Sequence, residues 1–419
     1  MRILRGKAAE AYVCELERRG SRLEQVEPAV RRIVEDVRRK RDRALAKYAR
    51  QLDGLRPEQS LQVSESELAQ AWNNTSGELK TALRTAEKNI RQFCEWQKPK
   101  SWTKSRDGIS LGQMVRPLNS VGCYVPSGRF PLVSTLLMTV IPTQVAGVES
   151  IRVTSPRPSS EVLAAAAMLG IREFYRIGGA QAIAALAYGT ETIPRVDKIV
   201  GPGNSYVTAA KKLVSFDCAI DMLAGPTEVL IVGDRGNPVF IAADLLAQAE
   251  HDPETLAVFI TTSQELATAV QRTVRVGGRG RPPLSKNGVA SGSLKIRGAA
   301  LIACSQQQAF DWANRIAPEH ITVEKRDLPL VQNAGSIFIG DYSAQAAGDY
   351  ASGPNHVLPT GGAARFRGGL SVMDFVKLIT VQELSARGLT RIAPTVVRLA
   401  ATEGLYAHAT SVSVRCANA

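Results

Sequence analysis

Residues 120–156 read SVGCYVPSGRFPLVSTLLMTVIPTQVAGVESIRVTSP: a short β-type run closed by Pro126, an apolar helical stretch closed by Gly147, and a second β-type run closed by Pro156. The pattern recurs downstream. SIRVTSP (150–156) precedes SSEVLAAAAML (159–169), EFYRIGG (173–179) precedes AQAIAALAYG (180–189), and DKIVGPG (197–203) precedes NSYVTAAKKLV (204–214). Strands alternating with helices at this spacing imply right-handed βαβ units on a parallel sheet. A second series runs from TEVLIVGD (227–234) through LAVFITTS (256–263), ALIACS (300–305) and ITVE (321–324) to SIFIGDYS (336–343), each followed or separated by a helical stretch. The Gly-rich stretch VGGRGRPPLSKNGVASG (276–292) interrupts it. Two α/β modules in one chain form a crevice, and in such sheets ligands are expected beyond the carboxyl ends of the strands. Residues 1 to about 100, and those from about 380 onward, read as mainly helical.

Bulk composition narrows the class. At 419 residues and 44% hydrophobic, the chain is long enough for two packed domains, since single cores seldom grow past about 250–300 residues. No window approaches the roughly 18 uninterrupted apolar residues of a membrane span, and the first 20 residues lack the apolar core of a signal peptide. The expected location is the cytoplasm, with no membrane partner. The net charge of +13 is spread along helices such as VRRIVEDVRRKRDRALAKYARQL (30–52), with acidic residues interleaved. That is the pattern of a solvated face, so nucleic acid is not expected as a partner; anionic cofactors are an equally good use of the charge. The six cysteines form no C-x-x-C pair, which argues against a zinc knot or a disulfide framework.

The chain has four histidines, and each sits beside polar groups. Gln248 and His251 lie three apart at a helix end and share a face, a spacing that can present two ligands to one metal or simply end a surface helix. Asp349 and His356 fall in AAGDYASGPNHVLPTGG (346–362), rich in residues that bring backbone close to a ligand. Glu403 and His408 lie near the C-terminus. Gln248, His251, Asp349 and His408 together would form a mixed nitrogen and oxygen set suited to zinc or a related divalent ion. In RIAPEHITVE (315–324), Pro318 biases Ala317 away from helical angles and turns Glu319 and His320 out at a strand entrance. A histidine titrating near neutrality suits proton removal from an alcohol, and a neighbouring carboxylate can raise its basicity or activate water. Helix-terminal backbone contacts are the plainer reading of the same pair. There is no G-x-G-x-x-G; IGGAQ (177–181) and VGPGNSY (200–206) are strand-to-helix turns whose N–H groups could meet phosphates. Cys123 has no basic neighbour to lower its pKa, so it reads as packing.

VGCYVPSGRFPLVST (121–135), YRIGGAQAIAALAYGT (175–190), KIVGPGNSYVTAAK (198–211), AGPTEVLIV (224–232), DLLAQAEHD (244–252), APEH (317–320) and GDYASGPNHVLPTGG (348–362), in this order, closely resemble the histidinol dehydrogenase family. The resemblance implies a zinc-dependent, NAD-linked, four-electron oxidation of L-histidinol through the aldehyde to L-histidine, the last steps of histidine biosynthesis. It implies a homodimer with shared active sites and one zinc per subunit, although manganese is a possible in-cell metal. The implied fold is α/β: two incomplete Rossmann-like domains with parallel sheets, plus small helical N- and C-terminal segments. The expected division is a helical segment 1–20, a discontinuous first domain of 21–123 and 227–370, a second domain of 124–226, and a dimerisation segment 371–419. In this reading Gln248, His251 and Asp349 bind the metal with His408 of the other subunit, His320 is the base, and Glu319 activates water. Thr227, Glu403 and His356 hold the substrate alongside the metal ligands and His320, while Tyr124, Gln181 and Asn204 line the NAD site. Zinc cannot accept electrons, so NAD takes them. Thr227 stands where the family commonly has serine and Leu223 where it commonly has proline. Three other readings stay open: a related zinc and NAD dehydrogenase for another polyfunctional alcohol such as a sulfonated diol, a metal-dependent hydrolase, and a basic nucleic-acid binder.

Overall fold

The computed structural model describes residues 1–20, 23–127, 132–276 and 289–417; residues 277–288 of the Gly-rich interruption lie outside them. Strand β1 (Arg2–Arg5) opens the chain, and β2 (Trp102–Arg106) and β3 (Ile109–Pro117) follow a helical stretch. Next come β4 (Ser120–Tyr124), β5 (Ser150–Thr154), β6 (Glu173–Tyr175), β7 (Lys198–Val200) and β8 (Ala219–Ile220). The second series supplies β9 (Glu228–Val232), β10 (Leu256–Thr261), β11 (Ala299–Ile302), β12 (His320–Val323) and β13 (Ser336–Ile339), and β14 (Val376–Leu384) closes the set.

Strands β4 to β8 form a five-stranded sheet in the order β6-β5-β4-β7-β8, and β9 to β13 form a larger one in the order β1-β11-β10-β9-β12-β13. Every pairing in both sheets is parallel. Counted on its own strands, each module runs 3-2-1-4-5, the doubly wound order without its sixth strand. Both faces of each sheet are covered, which is why β9 (EVLIV) and β10 (LAVFIT) are buried at every position instead of alternating. The α/β class with parallel sheets thus stands as expected. Among the described residues no helix is long and apolar enough to cross a membrane.

The packing redraws the expected domain division. Residues 27–97 pack mainly on the five-stranded module and not on the six-stranded sheet, although Leu83 and Ile90 share a core cluster with Val357 and Leu370. Val30, Val34, Val37 and Leu45 pack with the helices of the five-stranded sheet, Leu68 packs with the helix Ser160–Met168, and Leu83 and Ile90 pack with the helix Val133–Ala146. The reason is the amphipathic helices themselves, each of which needs an apolar partner surface, and the nearer sheet supplies it. Strand β4 begins at Ser120, so that module starts before residue 124. Segment 1–20 is not purely helical: β1 extends the six-stranded sheet beside β11, and Tyr12 and Leu16 of the helix Lys7–Glu17 join its core. Residues 102–117 belong with the C-terminal segment, because β2, β3 and β14 make a separate antiparallel sheet. Its hairpin turns at Asp107 and Gly108, both with positive φ (54° and 80°), as a two-residue turn between right-twisted strands requires.

The placement of residues 27–97 has a measurable consequence. Leu45 is fully buried although it lies outside any βα unit. Leu45→Ala is expected to cost about 2–5 kcal/mol, read as a lowered urea midpoint at unchanged slope; a cost near zero would mean this helix is not part of the core.

Candidate active site

A cleft of about 870 Å³ opens between the helix Gly77–Gln97, the start of Val133–Ala146, the end of Pro238–Ala249 and the helix Gln345–Tyr350; Gln248, His251 and Asp349 all line it. Its floor departs from the expected geometry. Tyr124 ends β4, at the carboxyl side of the five-stranded sheet, but His320 begins β12 and Thr227 immediately precedes β9. The polar residues of the six-stranded sheet therefore sit at its amino ends, not its carboxyl ends. Helix-start Thr135 reaches across to His356 Nε2 at 3.5 Å, joining the two sides.

Strands β9 and β12 are neighbours, with His320 in register with Val229. The chain enters β12 through a sharp turn: the helix Gln306–Ile316 stops at Ala317, which takes φ 50° and ψ 66°. Ala317, before Pro318, thus leaves the right-handed helical region as expected and takes the left-handed one. Glu319 and His320 converge as a result, with Nδ1 to Oε2 at 3.7 Å. Both are buried, at 6% and 3% exposure. Glu319 Oε2 accepts the Thr227 hydroxyl (2.5 Å) and the Glu228 N–H (2.8 Å). His320 Nδ1 donates to the Glu228 carbonyl (3.1 Å), which fixes the tautomer with a free Nε2. That Nε2 is buried without a hydrogen-bond partner, and Asp349 Oδ1 stands 3.5 Å from it.

Burial holds the Glu319 carboxyl well above its ordinary range, against the opposing pull of the His320 charge, the Thr227 hydroxyl and the Glu228 N–H. Desolvation alone would lower His320, but the negative charges of Glu319 and Asp349 outweigh it and raise the imidazole. Burial would lift Asp349, yet its contact with His320 and the charges of His356 and His251 carry it below the usual carboxylate range. Burial keeps His356 low, with Asp349 opposing; its Nδ1 donates to the Asp349 carbonyl at 2.8 Å.

Gln248 Nε2 donates to the Thr227 hydroxyl oxygen, which leaves its amide oxygen for the cleft. His251 follows the helix and is exposed. Gln248, His251 and Asp349 are thus brought together; His408 is not. Both His408 and Glu403 are exposed on the C-terminal helices Ala386–Thr402 and Tyr406–Ala417 and are absent from the cleft lining. Among the described residues no three His, Cys, Asp or Glu side chains of one chain are grouped to hold a metal. The nitrogen and oxygen donors present nevertheless fit a zinc-class ion that takes a further ligand from elsewhere.

In the five-stranded module, the Tyr124 hydroxyl accepts the Gly179 N–H (3.2 Å), and the buried Gln181 donates Nε2 to Asp53 (3.0 Å) while its Oε1 is orphaned. A buried acceptor lacking a donor suits a polar ligand such as a nucleotide. Asn204 caps the helix Ser205–Val214, its Oδ1 taking the Tyr206 and Val207 N–H groups, so only its amide nitrogen is left for a ligand. The turn before it is held by a buried ion pair: Asp221 accepts the Gly201 N–H (2.7 Å) and pairs with Lys211, which donates to the Gly201 carbonyl (2.9 Å). A Cβ at Gly201 would lie 2.1 Å from the Tyr124 carbonyl, so only glycine lets this turn lie on β4.

The histidinol dehydrogenase family model matches residues 16–416. The chain is 45% identical to histidinol dehydrogenase of Geobacter sulfurreducens over 93% of each protein, and 46% identical to that of Aquifex aeolicus over 96% of this chain and 95% of the relative. The crystal structure of histidinol dehydrogenase from Elizabethkingia anophelis superposes with a TM-score of 0.93 at 35% identity, covering 100% of this chain and 98% of the other. The chain belongs to the histidinol dehydrogenase family. It is an enzyme of that dehydrogenase type.

Sequence reasoning passed over several residues that shape this histidinol dehydrogenase site: Arg19, Asp53, Glu228 and the Lys211–Asp221 pair. Their partners lie far along the chain, so no local spacing marks them; the charge of Lys211 inside an apolar helical run was the one available sign. Cys123 is fully buried, and burial pushes its thiol up to about 12, as packing requires. Two outcomes follow. Thiol labelling of the native protein at pH 8 should modify exposed Cys304 and spare Cys123, and Cys123→Ala should keep turnover; loss of turnover with intact fold would reinstate a covalent thiol step. Lys211→Met should cost about 3–5 kcal/mol in urea unfolding because it leaves Asp221 charged and buried, and Lys211→Met with Asp221→Asn should recover part of it.

Proposed function

We propose that this enzyme oxidises L-histidinol to L-histidine in two successive NAD-linked steps, with a zinc ion fixing the substrate, as the closing reactions of histidine biosynthesis. The observation that carries the reading is the His320 Nε2: buried, without a hydrogen-bond partner, its ring tied through Nδ1 to the Glu228 carbonyl, and 3.5 Å from Asp349, which lines the cleft together with Gln248 and His251. Gln248 through its amide oxygen, His251 and Asp349 would hold the metal, with His408 supplied by a second copy. Tyr124, Gln181 and Asn204 would line the NAD site. When bound, zinc supplies a Lewis acid for the substrate's nitrogen donors and NAD supplies the electron acceptor.

The protein's own part is proton handling and orientation. His320 removes the hydroxyl proton at Nε2, and its Nδ1–H, tied to a backbone carbonyl, stays fixed as the ring becomes charged. Glu319 beside it stabilises that charge. Because burial keeps the Glu319 carboxyl ready to hold a proton near neutrality, it takes one from water when the aldehyde is hydrated for the second oxidation. Thr227 links Glu319 to Gln248, coupling the water-activating carboxylate to the metal side, and His356, with Glu403 supplied like His408 by a second copy, would complete the substrate contacts.

A homodimer accounts for His408. The helix Tyr406–Ala417 has no buried residue, and Leu399, Leu405, Tyr406 and Val414 on the arm, with Leu378, Ile379 and Val381 on β14, are exposed apolar groups. Such a surface calls for a partner.

Three measurements test the reading. With zinc and NAD, histidinol should yield two NADH per molecule; no turnover would transfer the site to another polyfunctional alcohol. Asp349→Ala should lose metal and turnover, whereas His320→Ala should keep metal and lose turnover; equal metal retention would undo this division of roles. Mixing His320→Ala and His408→Ala subunits should restore about a quarter of full turnover, since half of random dimers carry one intact site, and no recovery would place His408 in its own chain's site.

A further inference from the structure

Glu228 lies between the two proton-handling residues. Its N–H donates to Glu319 (2.8 Å) and its carbonyl takes the His320 Nδ1–H (3.1 Å), so one residue's backbone holds both. Its side chain is 96% removed from water and would be an unpaired buried charge without a partner. That partner is Arg19, just beyond the helix Lys7–Glu17. Arg19 Nε and Nη2 grip the two Glu228 oxygens at 2.6 Å each, and Gly361 N–H adds a third bond at 3.0 Å. Arg19 Nη1 donates to the carbonyls of Leu16 (2.5 Å) and Ile316 (2.8 Å). Ile316 ends the helix that delivers Ala317, Pro318, Glu319 and His320.

We infer that Arg19 is a positioning residue of the active site: its guanidinium fork ties the entrance of β9 to the helix end before β12 and so fixes Glu319 and His320 against each other. The inference rests on the proposed roles of that pair. The geometry selects arginine. A planar fork can meet a carboxylate bidentately and still reach a carbonyl on its far side, whereas an ammonium neutralises Glu228 as a point charge without spanning both segments. The N-terminal segment thereby contributes to the reaction centre without touching substrate.

Arg19→Lys, Arg19→Ala and His320→Ala are compared for turnover, KM for histidinol and NAD, zinc content and thermal midpoint. Arg19→Lys is expected to keep zinc and both KM values within about twofold and to lose about tenfold in kcat, the signature of a misplaced reacting group. Arg19→Ala should lose more, and guanidinium at non-denaturing concentration should return part of its kcat while equal sodium chloride does not. Full kcat in Arg19→Lys, with only a lowered thermal midpoint, would reduce Arg19 to a structural clamp and overturn the inference. His320→Ala separates the layers: its inactivity beside fully active Arg19 variants sinks the inference alone, and its full activity sinks the reading of the pair and the inference with it.

Discussion

The site depends on two parallel strands being neighbours. In a sheet ordered 3-2-1-4-5, the first and fourth strands of a module lie side by side although the whole of strands two and three and their helices separates them in sequence. Here those strands are β9 and β12, and their pairing puts Thr227 and Glu228 against Glu319 and His320 across 92 residues of chain. The backbone of Glu228 cannot supply both hydrogen bonds unless that register holds. A slip by one residue would turn His320 away and expose Glu319, so the sheet core that fixes the register is also the first requirement of the chemistry.

Burial then gives these groups different tendencies. Glu319, His320 and Asp349 are within a few ångströms of one another, and desolvation presses on all three. Burial is the largest single influence on each, but their partners differ: for Glu319 it prevails, for His320 the charges of Glu319 and Asp349 together outweigh it, and for Asp349 the contact with His320 and the charges of the three histidines together outweigh it. A carboxylate kept anionic suits a cation, and one inclined to hold a proton suits water activation. The same amino-acid type is thus differentiated by surroundings rather than by sequence position.

How much of this could be read in advance varied with range. The βα rhythm was legible because buried parallel strands are continuous apolar runs, and β4 to β7 and β9 to β13 fall where the runs predict. Strand β14 was not, since VKLITVQEL is exposed along nearly its whole length. The β2–β3 hairpin carried a usable signal in Asp107–Gly108. The polar set was found through residue type and resemblance, but its seat at the amino ends of β9 and β12 contradicts the usual rule for such sheets. Periodicity locates strands without saying which end faces the crevice. Residues 27–97 were placed on the wrong module because an amphipathic helix shows that it has a buried face, not which sheet buries it. Arg19 was invisible for a related reason: its partner Glu228 is 209 residues away, and no spacing rule spans that distance.

The two cleft walls also explain why one chain leaves the proposed metal set short. Gln248, His251 and Asp349 come from elements that end at the opening, and beneath them Thr227 bridges Glu319 and Gln248 by hydrogen bonds while His320 is tied to the Glu228 carbonyl. Thr227 and Glu319 below are committed to that network and His320 is the proposed base, while on the five-stranded side Gln181 and Tyr124 are tied to Asp53 and Gly179. A fourth ligand for the proposed set would arrive from the open side. The arm built from β14 and the last two helices leaves Leu378, Ile379, Leu399 and Leu405 exposed, and it carries His408, which is absent from the cleft lining. Burying that arm on a second copy would satisfy its surface and complete the proposed ligand set in one step, and assembly and metal binding would then reinforce each other.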